Sequence, residues 1–142
     1  MAACTFFGHK NTLKEAVLPL MSVLIDLVTT KNVDTFYVGN HGSFDRMVAS
    51  QLKELKKKYP HISYFVVLAY IPTKKDEYND YCDTVFPSSL DAVPYRARIV
   101  ARNDWMIKKS DFVVTYVRQS VGGAAESKEK AEKQGKTVIN LT

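Results

Sequence analysis

The sequence predicts a single α/β domain, a three-layer Rossmann-like sandwich with a five-stranded, mostly parallel sheet. Short apolar segments alternate with segments whose apolar residues recur at helical spacing, and this alternation is typical of βαβ units. The chain has 142 residues, of which 46% are apolar and 25% are charged, as in ordinary globular proteins. No linker, repeat or low-complexity stretch divides the sequence, so we expect one domain over residues 1–142.

The first half of the chain contains three strand patterns and two helix patterns. Strands are predicted at residues 3–7, 33–38 and 62–68, and helices at residues 13–28 and 43–58. Pro19 lies inside the first helix pattern and indicates a kink or a late start, because proline cannot donate a backbone hydrogen bond. Ser43 is predicted to cap the second helix. Gly8 and Gly39 close the first two strands.

The second half begins with a segment that has no clear period. Residues 69–94 contain three prolines and many polar residues, so we predict a long irregular connection, a kind of segment that is often functional. Helices then follow at residues 95–109 and 123–134, and strands at residues 112–117 and 138–141. Right-handed crossovers favour the strand order 3-2-1-4-5, which places the switch point between the first and fourth strands.

Composition excludes several classes of protein. No apolar run approaches about 18 residues, so we expect no transmembrane helix and no membrane partner. The N-terminus lacks the basic region of a signal peptide. Two cysteines, Cys4 and Cys82, form no disulfide framework. We therefore expect a cytoplasmic protein.

The net charge of +5 favours anionic partners, although the positive charge is spread along the chain. Its densest run, residues 56–58, ends a helix, where lysine complements the helix dipole. We interpret this run as a solvated helix face. The charge then favours a phosphate-bearing small ligand, and a nucleic acid is not the partner we expect.

Polar and glycine-rich turns follow the first, second and fourth predicted strands, and we expect them to converge on one ligand site. The predicted ligand-binding residues are Gly8, His9, Lys10, Gly39, Asn40, His41, Asp45, Arg102, Arg118, Ser120, Gly122, Gly123 and Glu126. Gly122 and Gly123 let the backbone approach an anion at a helix N-terminus, and arginine binds phosphate in a fork. These residues can also be explained by the fold alone, without a ligand. For example, Asp45 and Glu126 lie at helix starts, where the helix dipole stabilises a carboxylate.

We predict neither a metal nor a cofactor. His9, His41 and Asp45 lie near the expected site, but no close His-x-His or Cys-x-x-Cys spacing supports a metal centre. No P-loop lysine motif is present. Trp105 and Tyr95 are interpreted as core or subunit contacts in preference to base-stacking platforms.

One segment carries a family resemblance. Arg102-x-x-x-Met106-x-x-x-Ser110-Asp111, followed by an apolar strand and Gly123-Ala-Ala-Glu126, resembles the signature Arg-Lys-x-x-Met…Ser-Asp…Pro-Gly-Gly-x-Gly-Thr-x-x-Glu of the LOG phosphoribohydrolases. The turn from Val38 to Asp45 is similar to the second glycine turn of the wider SLOG superfamily, which includes the Smf/DprA proteins. The small YpsA-like branch of that superfamily is the most similar to this chain.

The resemblance implies a nucleotide-derived ligand. LOG proteins release a base from nucleoside 5′-monophosphates, and by resemblance Arg102 and Glu126 would be catalytic. Here, however, residues 117–121 separate the strand from Gly122, and Ala124 replaces the threonine of the signature. We therefore favour binding without chemistry, by a sensor or a sequestering sponge for an ADP-ribose-type or cyclic nucleotide signal, as in some phage counter-defence proteins.

Two alternatives to this function remain open. The first is a nucleotide N-glycosidase, a hydrolase that uses Arg102 and Glu126. The second and weaker one is nucleic-acid binding, by similarity to Smf/DprA proteins. Related domains form dimers or larger assemblies, so the resemblance also implies a homodimer or a higher homo-oligomer.

Overall fold

The computed structural model describes residues 2–9, 14–70, 84–118 and 122–141. In these residues the strands are β1 (Ala2–Gly8), β2 (Val33–Val38), β3 (Ser63–Val67), β4 (Thr84–Val85), β5 (Phe112–Tyr116) and β6 (Thr137–Asn140). The α-helices are α1 (Val17–Thr29), α2 (Gly42–Lys58), α3 (Arg98–Lys109) and α4 (Gly123–Lys133). Short 3-10 turns lie at Lys14–Ala16, Ser88–Ala92 and Tyr95–Ala97.

The strands form one parallel sheet in the order β4-β3-β2-β1-β5-β6. This confirms the predicted order 3-2-1-4-5, because the predicted fourth and fifth strands are β5 and β6. The difference is a sixth strand, β4, which pairs with Val66 and Val67 at the edge of the sheet. A strand of two residues is too short to show a period in the sequence, which explains why it was missed.

Helices cover both faces of the sheet and complete the three layers. One core packs α1 and α2 against the sheet, and a second core packs α3 and α4 against the opposite face. Phe6 and Phe7 are neighbours in β1 but belong to different cores, because successive side chains of a strand point to opposite faces. β1 lies inside the sheet between β2 and β5 and contributes side chains to both cores.

The helix starts differ from the sequence predictions in ways that the local chemistry explains. α1 begins at Val17, which places Pro19 in its first turn, where its missing N–H costs no helical hydrogen bond. α2 begins at Gly42, and the residue before it is His41 in an extended conformation, so Ser43 lies inside the helix and is not its N-cap. The Asp45 carboxylate accepts a hydrogen bond from the His41 N–H at 2.9 Å and so fixes this start.

The start of α3 is also later than predicted, because residues 95–97 form a 3-10 turn after Pro94. Cys4 is a free thiol buried in the core, and Cys82 lies outside the described residues. In the part of the chain that the structure describes, no helix has the length and apolar character needed to cross a membrane.

Candidate functional site

A cleft of about 570 Å³ lies at the carboxyl ends of β1 and β5. It is lined by Phe6, Phe7, Gly8, His9, His41, Asp45, Ile99, Arg102, Asn103, Met106, Arg118, Gly122, Gly123 and Ala124. The cleft therefore occupies the switch point between β1 and β5, where open α/β sheets bind their ligands.

The cleft brings together eight of the predicted site residues. These eight are Gly8, His9, His41, Asp45, Arg102, Arg118, Gly122 and Gly123. Gly39 and Asn40 lie directly behind the lining, against Arg102. Glu126 is exposed on the first turn of α4 and does not line the cleft. Lys10 and Ser120 fall outside the described residues.

Arg102 is only 2% exposed, although it borders the cleft. Its guanidinium donates to the Asn40 side-chain oxygen at 3.1 Å and to the Val67 carbonyl at 3.1 Å. Nε donates to the Asn103 side chain at 2.9 Å, and Nη2 lies 3.4 Å from Nδ1 of His41. The residue ties the β2–α2 turn and the end of β3 to helix α3, so its donors are directed mainly to the protein.

Asp45 faces this guanidinium and has an unusual acidity. Burial raises the pKa of its carboxyl to about 6, while the hydrogen bond from His41 and the charge of Arg102 act in the opposite direction. Burial also lowers the pKa of Arg102, and the charge of Asp45 opposes that shift. The cleft lining thus contains a carboxyl with a raised pKa beside a buried guanidinium.

The first two glycines of the site serve close packing. A Cβ atom on Gly39 would lie 2.8 Å from the Asp45 carboxylate and 3.1 Å from the Arg102 guanidinium carbon. A Cβ atom on Gly8 would collide with the ring of Phe44. Packing alone therefore excludes larger residues at both positions, so these two glycines need no ligand to explain them.

The third glycine turn is open to solvent. Gly122 has φ +108° and ψ 170°, a conformation available essentially to glycine alone. Among the described residues, nothing lies within 4 Å of a Cβ atom built on Gly122 or on Gly123. Since α4 begins at Gly123, the N–H groups of its first three residues have no acceptor within the helix, and the first helical hydrogen bond runs from the Glu126 N–H to the Gly122 carbonyl at 3.1 Å. An anion can approach the backbone here.

Arg118 carries a more accessible charge than Arg102. Its side chain is 52% exposed and forms an ion pair with Glu15 at 3.3 Å. Its guanidinium lies 5.5 Å from the centroid of the Tyr116 ring, and its backbone N–H donates to Nε2 of His9 at 2.9 Å. Arg118 is one of the residues that line the cleft.

An aromatic row lies next to the cleft. Tyr95 is 72% exposed, so it is not a core residue, and its predicted alternative role as a subunit contact stays a prediction. Its ring packs on Tyr70 with centroids 4.4 Å apart, and Tyr70 meets the ring of His41 edge-on at 6.5 Å. Trp105 instead packs edge-on against Tyr37 at 5.4 Å, as expected of a packing residue. Pro94 could have indicated that Tyr95 precedes the helix.

Comparison with known proteins identifies the fold. No protein-family model matches the chain, and no curated protein matches it in sequence. DNA processing protein A from Streptococcus pneumoniae matches with a TM-score of 0.71 and 13% identity, over 99% of this chain and 50% of that one. The same protein from Helicobacter pylori, described for its single-stranded DNA binding mode, matches with a TM-score of 0.69 and 14% identity, over 98% and 64%. The chain thus spans about half to two thirds of the length of these proteins.

These likenesses correct the predicted partner. From the sequence we predicted a sensor or sponge that binds a nucleotide-derived small molecule, and nucleic-acid binding was the weakest of the three predicted functions. The Helicobacter pylori structure is instead described by how it binds single-stranded DNA. This finding contradicts the prediction of a small-molecule sensor or sponge and the prediction that a nucleic acid is an unlikely partner. The chain has a Rossmann-like α/β fold that it shares with DprA proteins.

Proposed function

We propose that this protein binds single-stranded DNA at the cleft between β1 and β5. One observation carries the proposal: nearly the whole chain shares its fold with a DprA protein that is described for its single-stranded DNA binding. The chemistry of the cleft supports the same ligand, because two kinds of phosphate-binding group meet at its edge.

The first group is the exposed guanidinium of Arg118, which can replace its contact with Glu15 by a phosphate. The second is the N-terminus of α4 behind the open Gly122–Gly123 turn, where backbone N–H groups attract anions. Among the described lining residues, Asp45 alone carries a carboxylate. The Asp45 carboxylate lies beside the Arg102 guanidinium, whose positive charge opposes its own.

Electrostatics also favours a polymer over a single phosphate. A net charge of +5 steers a polyanion towards the protein, and each neutralised phosphate releases counterions. Binding of a single strand should therefore weaken steeply with salt. Because the phosphate contacts carry no base information, we expect affinity for many sequences.

The test is fluorescence anisotropy with a labelled 20-nucleotide oligothymidylate over a range of salt concentrations. We expect Arg118→Ala to weaken binding and to reduce the slope of log K against log salt by about 0.7, the value for one lost phosphate contact in a single strand. Lys133→Ala is the matched control, because it also removes one cation from an exposed ion pair, with Glu129 at 3.2 Å. Lys133 ends α4, at the far end of the helix from the cleft.

Two results would count against the proposal. Equal losses in Arg118→Ala and Lys133→Ala would mean that only the overall charge matters. A wild-type protein that binds no oligothymidylate even at low salt would exclude the function. The glycosidase alternative gains no support, since Glu126 is exposed outside the cleft lining and most donors of Arg102 are directed to the protein.

A further inference from the structure

Tyr70 and Tyr95 form an ordered aromatic pair beside the cleft. Their ring centroids are 4.4 Å apart with an interplanar angle of 33°, and the Tyr70 hydroxyl donates to the Tyr95 carbonyl at 3.1 Å. Tyr70 follows the carboxyl end of β3, and Tyr95 lies in the 3-10 turn that leads into α3. Two separate elements thus hold one pair of rings.

The outer ring of the pair is unusually accessible. Tyr95 is 72% exposed, the second-highest value among the exposed large hydrophobic residues of the described chain. Its position is nevertheless fixed, because one ring face packs on Tyr70 and the turn begins after Pro94. An ordered ring loses little conformational entropy when it takes part in stacking.

The rings connect the cleft to the surface. His41 lines the cleft, the ring centroids of Tyr70 and His41 are 6.5 Å apart, and Tyr95 packs on Tyr70. Arg96, an exposed cation, directly follows Tyr95. A strand that leaves the cleft along this row would meet an aromatic surface with a positive charge beside it.

We propose that Tyr95 stacks with an unpaired base of the bound strand, and that Tyr70 supports it from behind. This inference rests on the proposed function and adds a base-binding subsite to the phosphate contacts. Every base offers a π face, so this subsite tolerates any sequence, and it requires a base that is not paired. The subsite therefore selects single strands over duplexes.

The experiment compares the 20-nucleotide oligothymidylate with an abasic 20-mer that keeps the phosphates and lacks the bases. We expect Tyr95→Ala to weaken binding of the oligothymidylate by about 5- to 150-fold, the range for loss of one stacked base. The salt slope should stay unchanged, because no charge is lost. Tyr95→Phe should retain the affinity, and Tyr95→Ala should bind the abasic strand as the wild type does.

Val100→Ala is the control for loss of an exposed apolar side chain, since Val100 is 47% exposed on α3. Circular dichroism confirms that each variant is folded. If Arg118→Ala and the salt dependence support DNA binding while Tyr95→Ala binds oligothymidylate like the wild type, the stacking subsite is refuted and the proposed function stands. An equal loss with the abasic strand also refutes the subsite. If the wild type binds neither strand, both proposals fail.

Discussion

At the scale of single residues, Asp45 couples the fold to pH. Burial raises the pKa of its carboxyl from 3.8 to about 6, and Arg102 and the His41 N–H only partly oppose that rise. Below about pH 3.8 the carboxyl is protonated in both the folded and the unfolded state. Between pH 3.8 and about 6 the unfolded chain releases this proton and the folded chain keeps it. The contribution of Asp45 to stability therefore falls as pH rises through this window, and above it the loss is complete.

Asp45→Asn tests this sign, because asparagine has nearly the same shape and does not ionise. The difference in free energy of unfolding between variant and wild type should shift in favour of the variant between pH 4 and pH 7, by at most about 3 kcal/mol. Thermal melts of both proteins across that range measure the shift. A constant difference, or a shift in favour of the wild type, would show that Arg102 keeps the pKa of Asp45 at or below its ordinary value.

Arg102 shows what sequence could and could not predict about the site. The motif placed it correctly on a helix before β5, and the structure shows that it lines the cleft. Its donors, however, contact the Val67 carbonyl and the side chain of Asn40, which are 35 and 62 positions away in the chain. No local pattern reveals such partners, because they depend on how the strands are ordered in the sheet. The exposure of Tyr95 could not be predicted for the same reason, since exposure depends on tertiary packing.

At the scale of elements, α4 starts at two neighbouring glycines that differ in backbone conformation. Gly122 adopts φ +108°, which a residue with a Cβ atom rarely adopts, whereas Gly123 is the first residue of the helix. In the part of the chain that the structure describes, no atom crowds a methyl group at either position. We therefore expect the two alanine variants to differ mainly through the backbone conformation at Gly122.

We expect Gly122→Ala to destabilise the protein by about 1–3 kcal/mol, the usual cost of a strained backbone conformation. It should also weaken DNA binding, because the N–H groups of the first turn of α4 would shift. Gly123→Ala should be neutral or stabilising by up to about 1 kcal/mol, since alanine favours helix. Urea denaturation and anisotropy on both variants measure these effects. Equal stability of the two variants would show that the turn relaxes at no cost.

Elements with a strong period were predictable, and those fixed by long-range contacts were not. β1, β2, β3, β5 and β6 were recognised because each is a continuous apolar or alternating run. β4 was missed because it consists of two residues held by pairing with β3 and by the hydrogen bond from the Leu68 N–H to the Val85 carbonyl at 2.7 Å. The first turns of α1, α2 and α3 were displaced because proline and side-chain contacts decide where a helix begins.

At the scale of the whole molecule, the direction of α2 separates two basic regions. The helix begins beside the cleft at Gly42 and ends with Lys56, Lys57 and Lys58. Seventeen residues at a rise of 1.5 Å each span about 25 Å. The lysine run therefore lies at the far end of α2, about 25 Å from the start of the helix beside the cleft. At physiological salt the screening length is about 8 Å, and charges at that distance affect a phosphate in the cleft only weakly.

The final prediction tests whether DNA affinity depends on where a positive charge lies or on how many positive charges the protein has. Lys57→Gln with Lys58→Gln removes two exposed cations, while Arg118→Gln removes one. Lys56 is left intact because its Nζ donates to the Ile62 carbonyl at 2.5 Å and so contributes to the fold. If the cleft binds the strand, the single variant should lose more affinity for oligothymidylate than the double variant, in anisotropy at 150 mM salt. If net charge alone attracts DNA, or if the lysine run is the binding surface, the double variant should lose more. That order of affinities would move the interface away from the switch point of the sheet.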